Sequence, residues 1–250
     1  MLTLLSYGYY GYDTVSRASI DGRYSILLLA AIAIMILGII ASARVKTTYN
    51  KYSQVYASSG KTAAQIANEL LRNNGSSVAV AQVPGTLTDN YNPKTGAVSL
   101  SQSVYGSTSV AAIAVAAHEC GHVMQYQEGY GLIRLRNSLL PFASFGARFS
   151  YILVLIGLFL GSFGYVVSMI GVILFGVVLA FQLLTLPVEL NASERALDML
   201  TAGGYITGNT EENAARKVLR AAAFTYLVAV LSSAISFLRL LMIAQSTRRR

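Results

Sequence analysis

Both histidines of the chain fall in one short stretch, His118-Glu119-Cys120-Gly121-His122. Residues four apart on an α-helix share a face, one turn from each other. Two imidazoles so placed can grip one Zn²⁺ from the same side. The glutamate after the first histidine then points at the water that the metal activates, and Glu119 can take its proton. Two histidines fall four apart in under about 1% of shuffled sequences, and with a glutamate after the first in roughly one in several thousand, so coincidence is a poor explanation. A catalytic zinc has three protein ligands and one open position. With no third histidine, the third ligand must be a carboxylate or Cys120. Cys120 stands two residues from His118, points elsewhere on a helix, and suits a small buried position. The carboxylate candidates are Asp89, Glu128, Glu189, Glu194, Asp198, Glu211 and Glu212.

These residues need elements to hold them. Residues 110–117 are small and apolar, and they lead into the motif as an interior helix that runs to about Gln127, with Ser107, Thr108 and Ser109 as possible N-caps. Upstream, residues 62–73 show helical spacing and end before Gly75, a C-cap glycine. Residues 78–83 and 97–100 predict two strands separated by the turn-rich stretch 84–96. Residues 44–138 therefore form a small aqueous domain of mixed α and β content.

Apolar runs flank this domain. Residues 26–43 carry no charge, lie between Arg23 and Arg44, and predict a first transmembrane helix. Residues 139–186 are too long for one span of about 20 residues and fit two, joined by a hairpin at Gly161-Ser-Phe-Gly164. Gly157 and Gly161 form a small-residue pair that would pack the second span on the third. Arg148 falls inside the second span, or at the headgroups if the hairpin lies nearer Gly171. Residues 187–220 are polar and helical, residues 221–244 predict a fourth span interrupted by Arg239, and residues 245–250 form a basic tail. Residues 1–25 form an aromatic N-terminal extension whose Tyr7, Tyr9, Tyr10 and Tyr12 suit an interfacial anchor. No cleavable signal peptide is expected. The third ligand must share a membrane side with His118, so an even number of crossings separates them. Glu189 follows the third span at once, and Pro187 is placed to start a new helix there. Glu194 and Asp198 share that side, one to two turns further on.

Composition agrees with this plan. Of 250 residues, 54% are hydrophobic and 12% charged, against about 25% charged in soluble domains. The net charge of +8 does not mark a nucleic-acid binder, because the basic residues flank apolar runs, as topology signals do. One cysteine excludes an intrachain disulfide. The segments bearing the site hold twelve basic residues and the opposite side six, with Arg148 set aside. The positive-inside rule thus predicts a cytoplasmic site.

Four stretches resemble the YugP-type family of bacterial membrane zinc metallopeptidases: Ala43-Arg-Val-Lys-Thr-Thr-Tyr-Asn-Lys-Tyr-Ser53, Val83-Pro-Gly-Thr-Leu-Thr-Asp-Asn-Tyr-Asn-Pro93, Ala116-Ala-His-Glu-Cys-Gly-His122 and Thr185-Leu-Pro-Val-Glu-Leu-Asn-Ala-Ser193. The resemblance covers about residues 25–245. It implies a gluzincin-like site with His118, His122 and Glu189 as zinc ligands and Glu119 as base. It is also similar to the HtpX and CAAX-protease group, where a Glu-x-x-x-Asp element follows a span; here Ser193 replaces the aspartate. Asn90 stands where the family usually has histidine, and the first 25 residues have no counterpart in the family pattern.

The expectation is therefore a mostly α-helical, multi-pass protein of the bacterial cell membrane, with about four spans and a zincin-like α/β domain inserted between the first and second. With one Zn²⁺ per chain it would hydrolyse peptide bonds of membrane or misfolded proteins. The scissile carbonyl needs a hydrogen-bond donor, for which Arg195, Tyr126 and Tyr130 are candidates. A substrate strand could pair with an edge at Thr86, Leu87, Thr88, Asp89, Asn90 and Tyr91. The expected partners are the bilayer, a polypeptide substrate, and a membrane-protein partner or second copy. The competing class is a non-catalytic scaffold with structural zinc. A transporter is disfavoured, because the spans hold almost no ionisable residues.

Overall fold

Among the described residues, four helices are long and apolar enough to cross a membrane, within Ser25–Tyr52, Gly131–Gly157, Gly161–Ala202 and Gly208–Thr247. The computed structural model describes the backbone of residues 3–248 and the side chains from residue 25 onward. The interfacial role expected of Tyr7, Tyr9, Tyr10 and Tyr12 lies outside the described residues. In chain order the elements are α1 (Thr3–Tyr52), α2 (Ala63–Asn73), β1 (Ala79–Val83), β2 (Asn90–Asn92), β3 (Ala97–Ser101), α3 (Gln102–Tyr105), α4 (Val110–Gln127), α5 (Gly131–Gly157), a single 3₁₀ turn (Gly161–Phe163), α6 (Gly164–Ala202) and α7 (Gly208–Thr247).

The long helices expose their large apolar side chains. Ile26, Leu29, Met35 and Ile39 of α1, and Phe142, Ile152 and Leu155 of α5, face outward. Apolar surface on that scale needs a cover, and lipid supplies one. Helix contacts run α5 to α6, α6 to α7, and α7 to α1. The α5–α6 hairpin turns at 158–163, beginning three residues before the expected Gly161-Ser-Phe-Gly164 and overlapping it. Its close packing uses Gly157, as expected, but pairs it with Gly164 rather than Gly161, and adds Gly146 and Gly171. Added side-chain carbons at Gly146 and Gly171 would strike the Leu174 and Ser150 carbonyls at 2.5 and 2.7 Å. Gly157 and Gly164 face each other's backbone, whereas Gly161 sits in the turn at φ +53° with open space around it. With the hairpin there, Arg148 lies well inside α5 and is exposed on its outer face.

The second core surrounds α4, whose residues 110–114, 116 and 117 are fully buried. Ser109 caps it, accepting from the Ala112 amide. Thr62 and Gln65 form a capping box on α2. The sheet order is β1-β3-β2, with β1 parallel and β2 antiparallel to β3. β2 is a strand the sequence reading placed among turns, because Asn-Tyr-Asn carries no apolar alternation.

Two boundaries differ from expectation. α5 begins at Gly131, so the helix starts eight residues ahead of the apolar run expected from residue 139. Pro187 does not open a helix: α6 runs through it from Gly164 to Ala202. Proline cannot donate to the Leu183 carbonyl, but Val188, Ala192, Ala196 and Leu200 beyond it form a buried stripe at four-residue spacing. Burying that stripe against the α4 core outweighs one lost hydrogen bond. The break comes instead at 203–207, where Gly204 takes a positive φ, as does Gly208 at the start of α7.

Candidate metal centre

α4 and α6 meet closely enough for their side chains to share a ligand. A carbon added at Gly121 would sit 2.5 Å from the Ala192 carbonyl oxygen. That contact carries Glu189, one turn before Ala192, to the face of α4 that bears both histidines. His118 Nε2 lies 3.2 Å from Glu189 Oε2, and His122 Nε2 lies 3.5 Å from the same oxygen. Ligands about 2.0–2.1 Å from a tetrahedral zinc stand roughly 3.3–3.4 Å apart, so these spacings fit one ion. One ligand atom from each residue falls within 4.8 Å of the other two, and together they could hold a metal. Glu189 is only 3% exposed. A carboxylate so buried calls for a cation, and the protein cation near it, Arg136, stands 3.7 Å from the other oxygen, Oε1.

Both imidazoles are oriented from behind. Ser193 Oγ lies 3.2 Å from His118 Nδ1. His122 Nδ1 lies 3.0 Å from Gln125 Oε1. The fully buried Gln125 donates from Nε2 to the Val188 carbonyl (2.8 Å) and to Asn191 Oδ1 (3.0 Å). Its nitrogen being the donor, Oε1 must accept from His122 Nδ1–H, which leaves the Nε2 lone pair facing Glu189. Burial alone would lower the His122 pKa, but the Glu189 carboxylate outweighs it and raises the imidazole above its ordinary value. Burial also lifts the Glu119 carboxyl above the usual range, against the opposing pull of His118 and His122. That direction makes its carboxylate a stronger proton acceptor.

The other acids have separate employment. Asp89 accepts from the Ser101 amide at 2.7 Å, and burial raises its pKa. Glu128 pairs with Arg195 at 2.6 Å, and Glu212 with Arg216 at 2.6 Å. Glu211 accepts from the Ser58 and Thr207 amides, tying the start of α7 to the loop after α1. Glu194 and Asp198 are exposed. Cys120 faces the Ala67 carbonyl of α2, and burial pushes its thiol pKa up.

Two adjoining cavities open on the site, both lined by Asp89, His118, Glu119 and Tyr226. The first, about 220 Å³, is polar and adds Asn90, Tyr91, Tyr126, Arg136 and Asn137. The second, about 190 Å³, is more apolar and adds Val45, Leu87, Val115, Val218, Leu219 and Ala222. Tyr126 packs edge-on against Tyr91, with ring centroids 5.6 Å apart, and accepts from Asn137. Arg195 turns away to Glu128 and Asn191 and does not line either cavity. Nor does Tyr130, the residue before α5. Of the expected edge, Asp89, Asn90, Tyr91 and Leu87 reach the cavities, while Thr86 and Thr88 do not. Thr88 hydrogen-bonds the Pro84 carbonyl, and Leu87 takes a positive φ of 54°.

Arg136, Asn137, Gln125 and Tyr226 were missed from sequence. Gln125 had a signal, being three residues after His122 and so on its face. Tyr226 had a weaker one, a hydroxyl within an apolar span. Its phenol lies against Glu189. Arg136 had none, because its helix was expected to begin later.

No solved structure matches this chain. The "Putative membrane protease YugP" of Bacillus subtilis (strain 168) is 44% identical over 219 residues, covering 87% of this chain and 96% of that protein. The family model described as "Putative neutral zinc metallopeptidase" matches residues 27–245. With that match over most of its length, the chain belongs to the neutral zinc metallopeptidase family.

Proposed function

We propose that this protein is a membrane-embedded zinc endopeptidase that cleaves peptide bonds of membrane or misfolded proteins. The observation that carries this is the convergence of His118, His122 and Glu189 beside Glu119, at the junction of two open cavities. The two histidines and Glu189 would hold the zinc. Bound there, it would act as a Lewis acid that polarises the scissile carbonyl and acidifies the attacking water. Glu119 accepts that water's proton on its carboxylate and delivers it to the leaving amide nitrogen. Arg136 and Tyr226 line the same wall and can donate to the carbonyl oxygen as charge develops on it. They supply the role first sought in Arg195 and Tyr130.

β2 has β3 on one side only, so a substrate strand can add to its other edge at Asn90 and Tyr91. The apolar cavity then receives an apolar side chain next to the scissile bond. That preference fits hydrophobic segments of membrane proteins or exposed cores of misfolded ones. Residues 53–130 act as an aqueous domain inserted between the first and second spans, in a multi-pass protein of the bacterial cell membrane with its site towards the cytoplasm.

The test uses purified full-length protein, an unfolded protein substrate, and zinc measured by mass spectrometry. Stoichiometric zinc is expected, with cleavage abolished by chelation and restored by zinc. Glu119→Gln is expected to keep zinc and lose activity by 10²-fold or more. Zinc retained with no cleavage by the wild type would favour a structural site instead.

A further inference from the structure

A separate cavity of about 510 Å³ opens between α1 and α7 and shares no residue with the two at the metal centre. Arg44 and Lys51 of α1 and Lys217 and Arg220 of α7 line it, and no carboxylate does. Among the described residues, none of the four forms an ion pair. Three of them rest on rings instead. The Arg44 guanidinium lies 5.9 Å from the Phe224 centroid, and the Lys51 and Lys217 ammonium groups lie 5.6 and 6.0 Å from that of Tyr52. Four like charges around one opening repel each other, and an anion between them relieves that cost.

The depth of the cavity says which anion. Arg44 directly follows the uncharged run 26–43, and Arg220 directly precedes the run 221–244. The cations thus sit where spans leave the hydrocarbon, at headgroup level. Leu37 and Ile40 lie seven and four residues before Arg44, on its helical face, and both are exposed. Leu227 and Leu231 are likewise exposed on α7, two and three turns past Arg220. A basic cavity above an apolar strip matches a molecule with a phosphate head and acyl tails. We propose that this cavity holds the phosphate headgroup of an anionic membrane phospholipid, bridging α1 to α7.

The alternative is that these residues only set membrane topology and attract any anion diffusely. Full-length protein in neutral detergent separates the two, titrated with phosphatidylglycerol, phosphatidylcholine or inorganic phosphate. The readouts are the thermal midpoint and lipid retained in native mass spectrometry. Phosphatidylglycerol is expected to raise the midpoint and stay bound, and the other two are not. Removing two cations in R44Q/R220Q is expected to weaken phosphatidylglycerol binding about thirty-fold. K51Q/K217Q gives an independent pair should the first fail to fold. R72Q/K94Q, which removes the same charge from exposed sites elsewhere, is expected to bind as the wild type does. An equal shift with phosphatidylcholine, a shift with inorganic phosphate alone, or an equal loss in R72Q/K94Q would each overturn the proposal.

Discussion

Gln125 shows how a neutral side chain can decide the chemistry of its neighbour. With both acceptors of its amide nitrogen on α6, it has only an oxygen left for His122, and that selects the imidazole tautomer with a metal-facing Nε2. Gln125→Glu keeps an acceptor for His122 but loses both donations to α6. We expect zinc affinity to fall about 10- to 100-fold, read by competition with a chelating dye. A metal at His122 would compete with a proton for the same Nε2, and the Glu189 carboxylate favours that proton. Affinity is therefore expected to weaken as the pH falls. Asp89, which lines both cavities without joining the ligand cluster, offers a test of pH linkage. Burial raises its pKa, so the folded state holds the proton more tightly than the unfolded chain. Its contribution is complete below the ordinary aspartate range near pH 4, and it is lost as the pH climbs through the raised value. Asp89→Asn is expected to flatten the stability profile on the alkaline side of about pH 4, measured as thermal midpoints in detergent. An unchanged profile would show that Asp89 ionises at little cost.

At the scale of elements, the α4–α6 crossing positions the site. Gly121 lies inside the histidine motif, yet it does no chemistry there. Its missing side chain lets the Ala192 backbone approach. Gly121→Ala must push α6 outward by a few tenths of an ångström or more, and overpacking of this kind costs about 1–3 kcal/mol. Glu189 moves with α6, so the variant is expected to lose zinc with all three ligands intact. Wild-type zinc content in Gly121→Ala would mean that the crossing tolerates a methyl group. The apolar cavity makes a second prediction at this scale. Ala222→Phe fills the space between Val218, Leu219 and Val115. It should shift cleavage towards smaller side chains at the adjoining substrate position, read by mass spectrometry of peptide products, while zinc content holds.

At the scale of the whole molecule, the proposed cytoplasmic site rests on the charge asymmetry alone. Cys120 is buried, so Ser246→Cys places one accessible thiol at the far end of α7. Labelling from outside intact cells is expected if the metal centre faces the cytoplasm, and its absence would reverse the assignment. Much of the architecture was legible in the residues. The four apolar runs, the α4 cap at Ser109, strands β1 and β3, and a hairpin around Gly161 all follow from local patterns that solvent or lipid enforces on every segment. The two histidines and Glu119 were legible too, because one helical turn fixes their spacing. Long-range approach was a different matter. That α6 continues through Pro187, that Gly121 meets Ala192, that Gln125 ties α4 to α6, and that Arg136 and Tyr226 border Glu189 depend on helices packing across many tens of residues of chain. Such contacts are chosen by the complementarity of surfaces that do not exist until the helices are packed, so only the tertiary structure decided them.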